Sequence, residues 1–381
     1  MQTPPPETVD ILVIGGGIAG ASVAAELAAS ARVVLLERES QTGYHTTGRS
    51  AAVFAPCYGP TPIRQLTVAS EPFFREPPEG FTSNPLFSPR PVLMIARDDQ
   101  RAALDRLTED VASQTEVERF DGEALAACQP LLRPGYASAG MMDRQGQDID
   151  VHALHSGYLR MLRARGGRVV TNAEVTGLAH DGTDWRVETR GGDFRAPLVI
   201  NASGAWADVI GAMAGAGEIG LVPKRRTAMT IADHPTVRTA GLPITIDVDE
   251  EFYLKPDAGR LLISPADATP SEPCDAQPDE MDIAIGADRI MTAFDLTIRR
   301  IESSWAGLRS FVADKAPVAG FSDRVPGFFW LAGQGGYGIQ SAPALAAFAA
   351  NSVLGLPPSE RLLATGFDPA SLSPERLRSA A

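Results

Sequence analysis

The chain has 381 residues, 44% hydrophobic and 21% charged, a globular balance that argues against a disordered or fibrous protein; at about 150 residues per domain it has room for two or three. Its 34 basic and 47 acidic residues leave a formal charge of −13, which repels phosphate backbones and anionic headgroups, so nucleic acid and membrane surfaces are not expected partners. Cys57, Cys128 and Cys274 have no CxxC spacing; they argue against a disulfide framework or a zinc site and for a reducing compartment.

Met1 to Asp10 holds three prolines and two acids, without the basic and apolar regions of a signal peptide. Pro343 to Leu356 is too short and Ala-rich to span a bilayer. A cytoplasmic protein with no integral membrane segment is expected.

Asp10 to Ile14 reads as a strand buried on both faces of a parallel sheet. Gly15-Gly16-Gly17-Ile18-Ala19-Gly20 follows, then a helix over 21–31, then a second strand over 32–36 that ends at Glu37. Glycines let the backbone approach a pyrophosphate, and a helix N-terminus offers N–H groups and a positive dipole to it. Glu37 would accept the ribose hydroxyls. A glycine fingerprint in this setting predicts a dinucleotide, NAD or FAD alike.

Residues 58–91, rich in Pro and aromatics, predict a loop with short helices. Residues 99–131 carry helical patterning, and Asp148 to Asp150 cap a helix over 151–165 with Leu154, Tyr158, Leu159 and Leu162 on its apolar stripe. Strands are predicted over 168–175, 185–189 and 194–200, the last running into Asn201 to Trp206. A final buried strand over 328–332 meets a second glycine cluster, Gly333 to Gly338, before a helix over 342–354. The second cluster gives another helix N-terminus that could face an anion.

The opening, Asp10 to Ser22, and the stretch Gly43-Tyr44-His45-Thr46-Thr47-Gly48-Arg49-Ser50-Ala51-Ala52 resemble the D-amino-acid oxidase family of FAD-dependent oxidoreductases, with its D-amino-acid dehydrogenases, glycine oxidase and sarcosine oxidase. The resemblance extends through 223–226, 252–256, 305–310 and 334–340, and is strongest to the bacterial catabolic D-arginine dehydrogenase branch. It implies an α/β fold: a Rossmann-like FAD-binding domain of glutathione-reductase-2 type (residues 8–90, 146–222 and 304–381) interleaved with a mixed-sheet substrate-binding domain (91–145 and 223–303).

The same resemblance implies FAD held by Gly15, Gly17, Ile18, Ala19, Gly20, Glu37 and Arg38, and by His45, Thr46, Thr47, Gly48, Arg49, Ser50 and Ala51 of the flavin loop. Val175, Ala202, Gly204, Trp206 and Gly307 would complete its walls, with Gly333, Gly335, Gly336, Tyr337, Gly338, Ile339 and Gln340. Some relatives tether flavin through a cysteine shortly before the last glycine loop; none follows Cys274 here, so FAD is expected to be non-covalent.

Arg309 and Arg226 match carboxylate-binding positions, and the planar guanidinium fork suits that task better than lysine. Arg225 is the alternative to Arg226. Tyr253 and Tyr58 match pocket tyrosines, and Val53, Val92, Gly336 and Gln340 would frame the substrate. The D-arginine dehydrogenases are expected to carry a histidine at the position of Val53 and an acid at that of Val92, so an apolar or small neutral side chain is expected of the substrate. Asp247, Asp249 or Glu251 could supply a missing charge. His152 and His155, three apart on a helix without a third ligand, read as solvated residues rather than a metal site.

The activity implied is oxidative deamination of a D-amino acid to a 2-oxo acid and ammonia, with oxygen or a quinone-type compound as electron acceptor. The alternatives are glycine, sarcosine or another secondary amine, a 2-hydroxyacid, or a flavoprotein without turnover of its own.

Overall fold

A computed structural model describes residues 6–377. Its central sheet has six strands in the order Arg168–Val170, Val33–Leu36, Ile11–Ile14, Leu198–Asn201, Phe328–Ala332 and Val318–Phe321, parallel except for the last. Successive side chains point to opposite faces, so each strand feeds two cores. Ile11, Val13, Leu35 and Phe329 pack under helices Ile18–Leu27, Val151–Ala164 and Gly338–Val353. Leu12, Ile14, Val34 and Phe328 pack against Trp185, Val187 and Phe194 of a four-stranded sheet on the other side. Burial on both faces explains why these strands are apolar without alternation.

Helix Val151–Ala164 begins as its sequence predicts: Asp150 accepts a hydrogen bond from the Ala153 N–H at 2.8 Å. Its stripe of Leu154, Tyr158, Leu159 and Leu162 is buried. The first glycine turn leads into its helix at Ile18 rather than residue 21, and the second at Gly338 rather than 342.

Four segments depart from the sequence reading. Residues 168–175 form two strands, Arg168–Val170 and Val175–His180, in different sheets, because Asn172 takes a left-handed conformation (φ 53°) between them. Residues 194–200 are likewise divided at Pro197, which has no N–H to continue a ladder, into Phe194–Ala196 and Leu198–Asn201. A 15-residue helix, Thr61–Arg75, stands in the segment read as a loop. Its prolines misled the reading: Pro62 lies in the first turn, where no N–H is needed, and Pro72 in the last. Finally, strand Glu118–Asp121 interrupts the helical stretch between Arg101–Val111 and Gly122–Cys128.

The second large sheet has nine mixed strands. Its long pair, Val222–Ala232 against Ser303–Phe311, is antiparallel from Val222 opposite Phe311 to Thr230 opposite Ser303. Residues 304–311, grouped by sequence with the FAD-binding segments, are therefore hydrogen-bonded into this sheet. This strand pair carries both candidate arginines, Arg226 on one strand and Arg309 on the other.

Candidate active site

The first turn needs its glycines for steric reasons. Gly15 has φ +106°, and a Cβ there would collide with the Ala202 carbonyl; a Cβ at Gly20 would collide with the Gly15 carbonyl. At Gly17 a Cβ would meet only Thr47 Oγ1, at 3.2 Å, so its absence leaves open space above the helix N-terminus. Glu37, buried, accepts the Gly16 N–H on Oε2 and the Glu39 N–H on Oε1, both at 2.9 Å. Burial raises its pKa against those two bonds. Each oxygen keeps a second lone pair, which leaves the predicted ribose contact available.

The flavin loop closes over this turn. Thr47 accepts the Ile18 N–H at 3.0 Å, and Thr46 donates to the Leu308 carbonyl at 2.8 Å. Arg49 donates to the carbonyls of Ala276 and Ala306, both at 2.9 Å, and pairs with Asp275. The Trp305 indole N–H donates to the Arg49 carbonyl at 3.0 Å. His45 lies 3.0 Å from Glu39 through Nε2, against the Trp206 ring, over which the Arg38 guanidinium sits at 4.8 Å.

These residues line one continuous cavity. Of the predicted cofactor residues it takes in Gly15, Gly17, Ile18, Ala19, Glu37, Arg38, His45, Thr46, Thr47, Arg49, Ser50, Ala51, Val175, Ala202, Gly204, Trp206, Gly307, Gly335, Gly336, Gly338 and Ile339. Gly20, Gly48, Gly333, Tyr337 and Gln340 lie outside its lining. Gly48 serves the loop's own closure, since a Cβ would lie 2.6 Å from the Gly43 carbonyl oxygen. Gln340 is buried, accepting the Ala55 N–H at 3.0 Å. Gly16, Ser203 and Gln334, which lie within the named motifs, also line the cavity, as do Ile210 and Met213, which the sequence reading missed and which carry no local pattern.

Arg226, Tyr253 and Arg309 also line the cavity, with Gly336 against the last. Strand alternation separates the two adjacent arginines. Arg226 lines the cavity, whereas Arg225 points to the other face and pairs with Asp282 at 2.7 Å. Arg226 donates through Nε to the Asp267 carbonyl at 2.7 Å and lies 4.0 Å from Glu250. Arg309 makes no side-chain hydrogen bond or ion pair among the described residues. Burial, then the nearby Arg309 charge, lower the Arg226 pKa. Two nearby guanidiniums, of which Arg309 has no carboxylate partner of its own among the described residues, make a site for an anion.

Three sequence expectations change here. Val53 and Val92 lie outside the cavity lining; Val92 is fully buried, in an apolar cluster with Tyr253 that Val53 and Tyr58 pack against. Tyr58 also lies outside the lining, edge-on to Tyr337 with ring centroids 5.2 Å apart. Burial pushes the Tyr337 phenol up to about 12 and the Tyr58 phenol well above its ordinary value, which favours the protonated phenol in both. Among the acids, Asp247 bonds Gln100 and Arg97, and Glu251 pairs with Arg97. The carboxylate that faces the arginines is instead Glu250, held at φ 58° in the same turn.

His155 is buried rather than solvated, with Nε2 2.9 Å from the Gly16 carbonyl. Among the described residues no cluster of three or more His, Cys, Asp or Glu could hold a metal, and no helix is long and apolar enough to cross a membrane. The three cysteines are free, and burial pushes the Cys57 thiol well up.

The profile of the family described as DAO, FAD dependent oxidoreductase, matches residues 10–352. Mouse dimethylglycine dehydrogenase is 27% identical over 271 residues, covering 68% of this chain and 31% of its own length. Mouse sarcosine dehydrogenase is 26% identical over 352 residues, 86% of this chain and 37% of its own. The chain thus spans about a third of the length of these curated relatives. The crystal structure of glycine oxidase from Geobacillus kaustophilus superposes with a TM-score of 0.81 at 22% identity, covering 96% of this chain and 98% of that one, a likeness of fold.

The residues present fit FAD. The glycine cradle leaves room where a phosphate backbone must pass. Two buried polar atoms of cavity-lining side chains, His45 Nδ1 and Gln334 Nε2, have no protein partner.

Proposed function

Because the chain belongs to the DAO family of FAD-dependent oxidoreductases, we propose that it oxidises the carbon–nitrogen bond of a small amino acid anchored by its carboxylate. Bound FAD supplies the hydride acceptor, and the imine so formed from the substrate hydrolyses in water to a 2-oxo acid and ammonia. The observation that carries this reading is Arg309, a cation in the cavity wall that no described residue pairs. An α-carboxylate satisfies it with two parallel charge-assisted bonds, while Arg226 adds a second donor and orients Cα. With the phenols of Tyr58 and Tyr337 held protonated by burial, the substrate amine gives up its proton to water before oxidation.

The D enantiomer and an apolar or small neutral side chain are the preferred substrate features in this reading. They rest on the resemblance to the D-arginine dehydrogenase branch and on the replacement of its expected histidine and acid by Val53 and Val92 in the sequence, not on the cavity wall, where neither valine stands. A second reading, oxidation of glycine, sarcosine or another N-methylated glycine, is supported by the relatives whose names carry those substrates. Oxygen or a quinone-type compound would accept the electrons.

The test is anaerobic flavin reduction with both enantiomers of leucine, methionine, phenylalanine and arginine, and with glycine and sarcosine. D-leucine, D-methionine or D-phenylalanine should bleach the flavin faster than D-arginine. Faster bleaching by sarcosine selects the second reading, and preference for D-arginine overturns the apolar side-chain preference. Arg309→Met should lower kcat/KM by about 30-fold or more for any of these carboxylates, the cost of leaving a buried partner charge unpaired being about 2–5 kcal/mol. An unchanged kcat/KM removes Arg309 from the site.

A further inference from the structure

We propose that His155 is a positioning residue for FAD, which fixes the Gly16–Gly17 peptide so that its N–H faces the cofactor's pyrophosphate. His155 belongs to helix Val151–Ala164, 139 residues away from the turn, and its Nε2 lies 2.9 Å from the Gly16 carbonyl oxygen. A carbonyl only accepts, so Nε2 carries the hydrogen. Burial lowers the His155 pKa, which favours a neutral ring in that one tautomer.

The consequence follows from peptide geometry. In a trans peptide the C=O and N–H point in opposite directions. Drawing the Gly16 carbonyl to His155 therefore turns the Gly17 N–H the other way. Gly17 lines the cavity, and its N–H has no hydrogen-bond partner among the described residues. On the preceding peptide, the Gly16 N–H is held by Glu37 at 2.9 Å. Gly16 is thus gripped from both sides by side chains distant in sequence.

Such a grip matters because this peptide joins two glycines. With no Cβ on either side, its rotation meets little steric resistance. Rotated, it would present a carbonyl oxygen to an anion in place of a donor. The His155 ring also supports the flavin loop, since a Cβ at Gly43 would lie 3.0 Å from its Cε1. One buried ring therefore sits beneath both segments that close on the cofactor. This role is independent of which substrate is oxidised.

The experiment strips flavin from the 381-residue protein and titrates FAD back, reading flavin fluorescence. His155→Phe keeps a ring of similar bulk and removes the donor; the FAD dissociation constant should rise about tenfold, the value of one hydrogen bond. His155→Gln, whose amide N–H reaches as far as Nε2, should return it to within about twofold of the parent. ADP, which carries the pyrophosphate without the flavin, should weaken by the same factor in His155→Phe. Should that variant be insoluble, His155→Asn, too short to reach Gly16, takes its place with the same expectation. The proposal is overturned by parental FAD affinity in the donor-less variant, by equal weakening in His155→Gln, or by a loss of affinity matched by a fall in the apoprotein's melting temperature.

Discussion

The turn before helix Ile18–Leu27 and the turn before helix Gly338–Val353 read almost alike, Gly-Gly-Gly-Ile-Ala-Gly against Gly-Gln-Gly-Gly-Tyr-Gly. In the first, two of the three tight positions face backbone: Gly15 meets the Ala202 carbonyl and Gly20 the Gly15 carbonyl, while Gly16 meets the Thr42 and Glu37 side chains. In the second they face side chains: a Cβ at Gly335 would run into the Phe311 ring, and one at Gly336 would lie 2.8 Å from Arg309 Cζ. One turn spends its glycines on bringing main chain close to main chain, which leaves N–H groups at a helix N-terminus for a phosphate. The other uses them to seat Arg309, the proposed carboxylate anchor. Under the proposed function, similar composition serves the cofactor in one place and the substrate anchor in the other.

Three variants would break or sharpen this contrast. The largest effect is expected from Gly17→Val. A Cβ there meets nothing nearer than Thr47 Oγ1, so the chain should fold, but the branched side chain takes the space the pyrophosphate must cross. The protein should purify colourless, and retention of a full complement of flavin would refute the role given to the first turn.

Gly336→Ala should act on the substrate and spare the flavin. The added methyl displaces the Arg309 guanidinium by a fraction of an ångström to an ångström, and such misplacement costs about 10- to 100-fold in kcat/KM. Flavin content and absorbance should match the parent. If flavin is lost while the Michaelis constant is unchanged, the second turn serves the cofactor and the contrast fails.

The smallest effect is expected from Tyr58→Phe. Burial raises the Tyr58 pKa, which favours the neutral phenol; its proton is lost only above that raised value, outside the working range. Any rise of kcat/KM between about pH 8 and pH 10 then belongs to the substrate's ammonium group and should keep its midpoint in the variant. A midpoint that moves, read from flavin reduction across that range, would return Tyr58 to the proton path.

Features set by near neighbours were legible in the sequence. The uninterrupted apolar runs at Ile11–Ile14 and Phe328–Ala332 can only be strands covered on both faces. Asp150 caps its helix through a bond three residues away. The first glycine fingerprint is recognisable because its glycines, the preceding strand, the following helix and the acid at Glu37 fall within one short stretch of sequence. The spacing of strand, turn, helix and acid then settled the class of cofactor, and the family's motifs settled FAD.

What only the tertiary structure decided depends on partners far along the chain. Arg225 and Arg226 are indistinguishable until the pairing of Val222–Ala232 with Ser303–Phe311 sets which face looks into the cavity. Glu250 was passed over among neighbouring acids because a left-handed residue in a turn, not its chemistry, turns it toward Arg226. His155 read as a surface histidine, since its partner lies 139 residues earlier. Helical spacing assigns a residue to a face of its own helix, but burial depends on what packs there, and that is a property of the assembled fold.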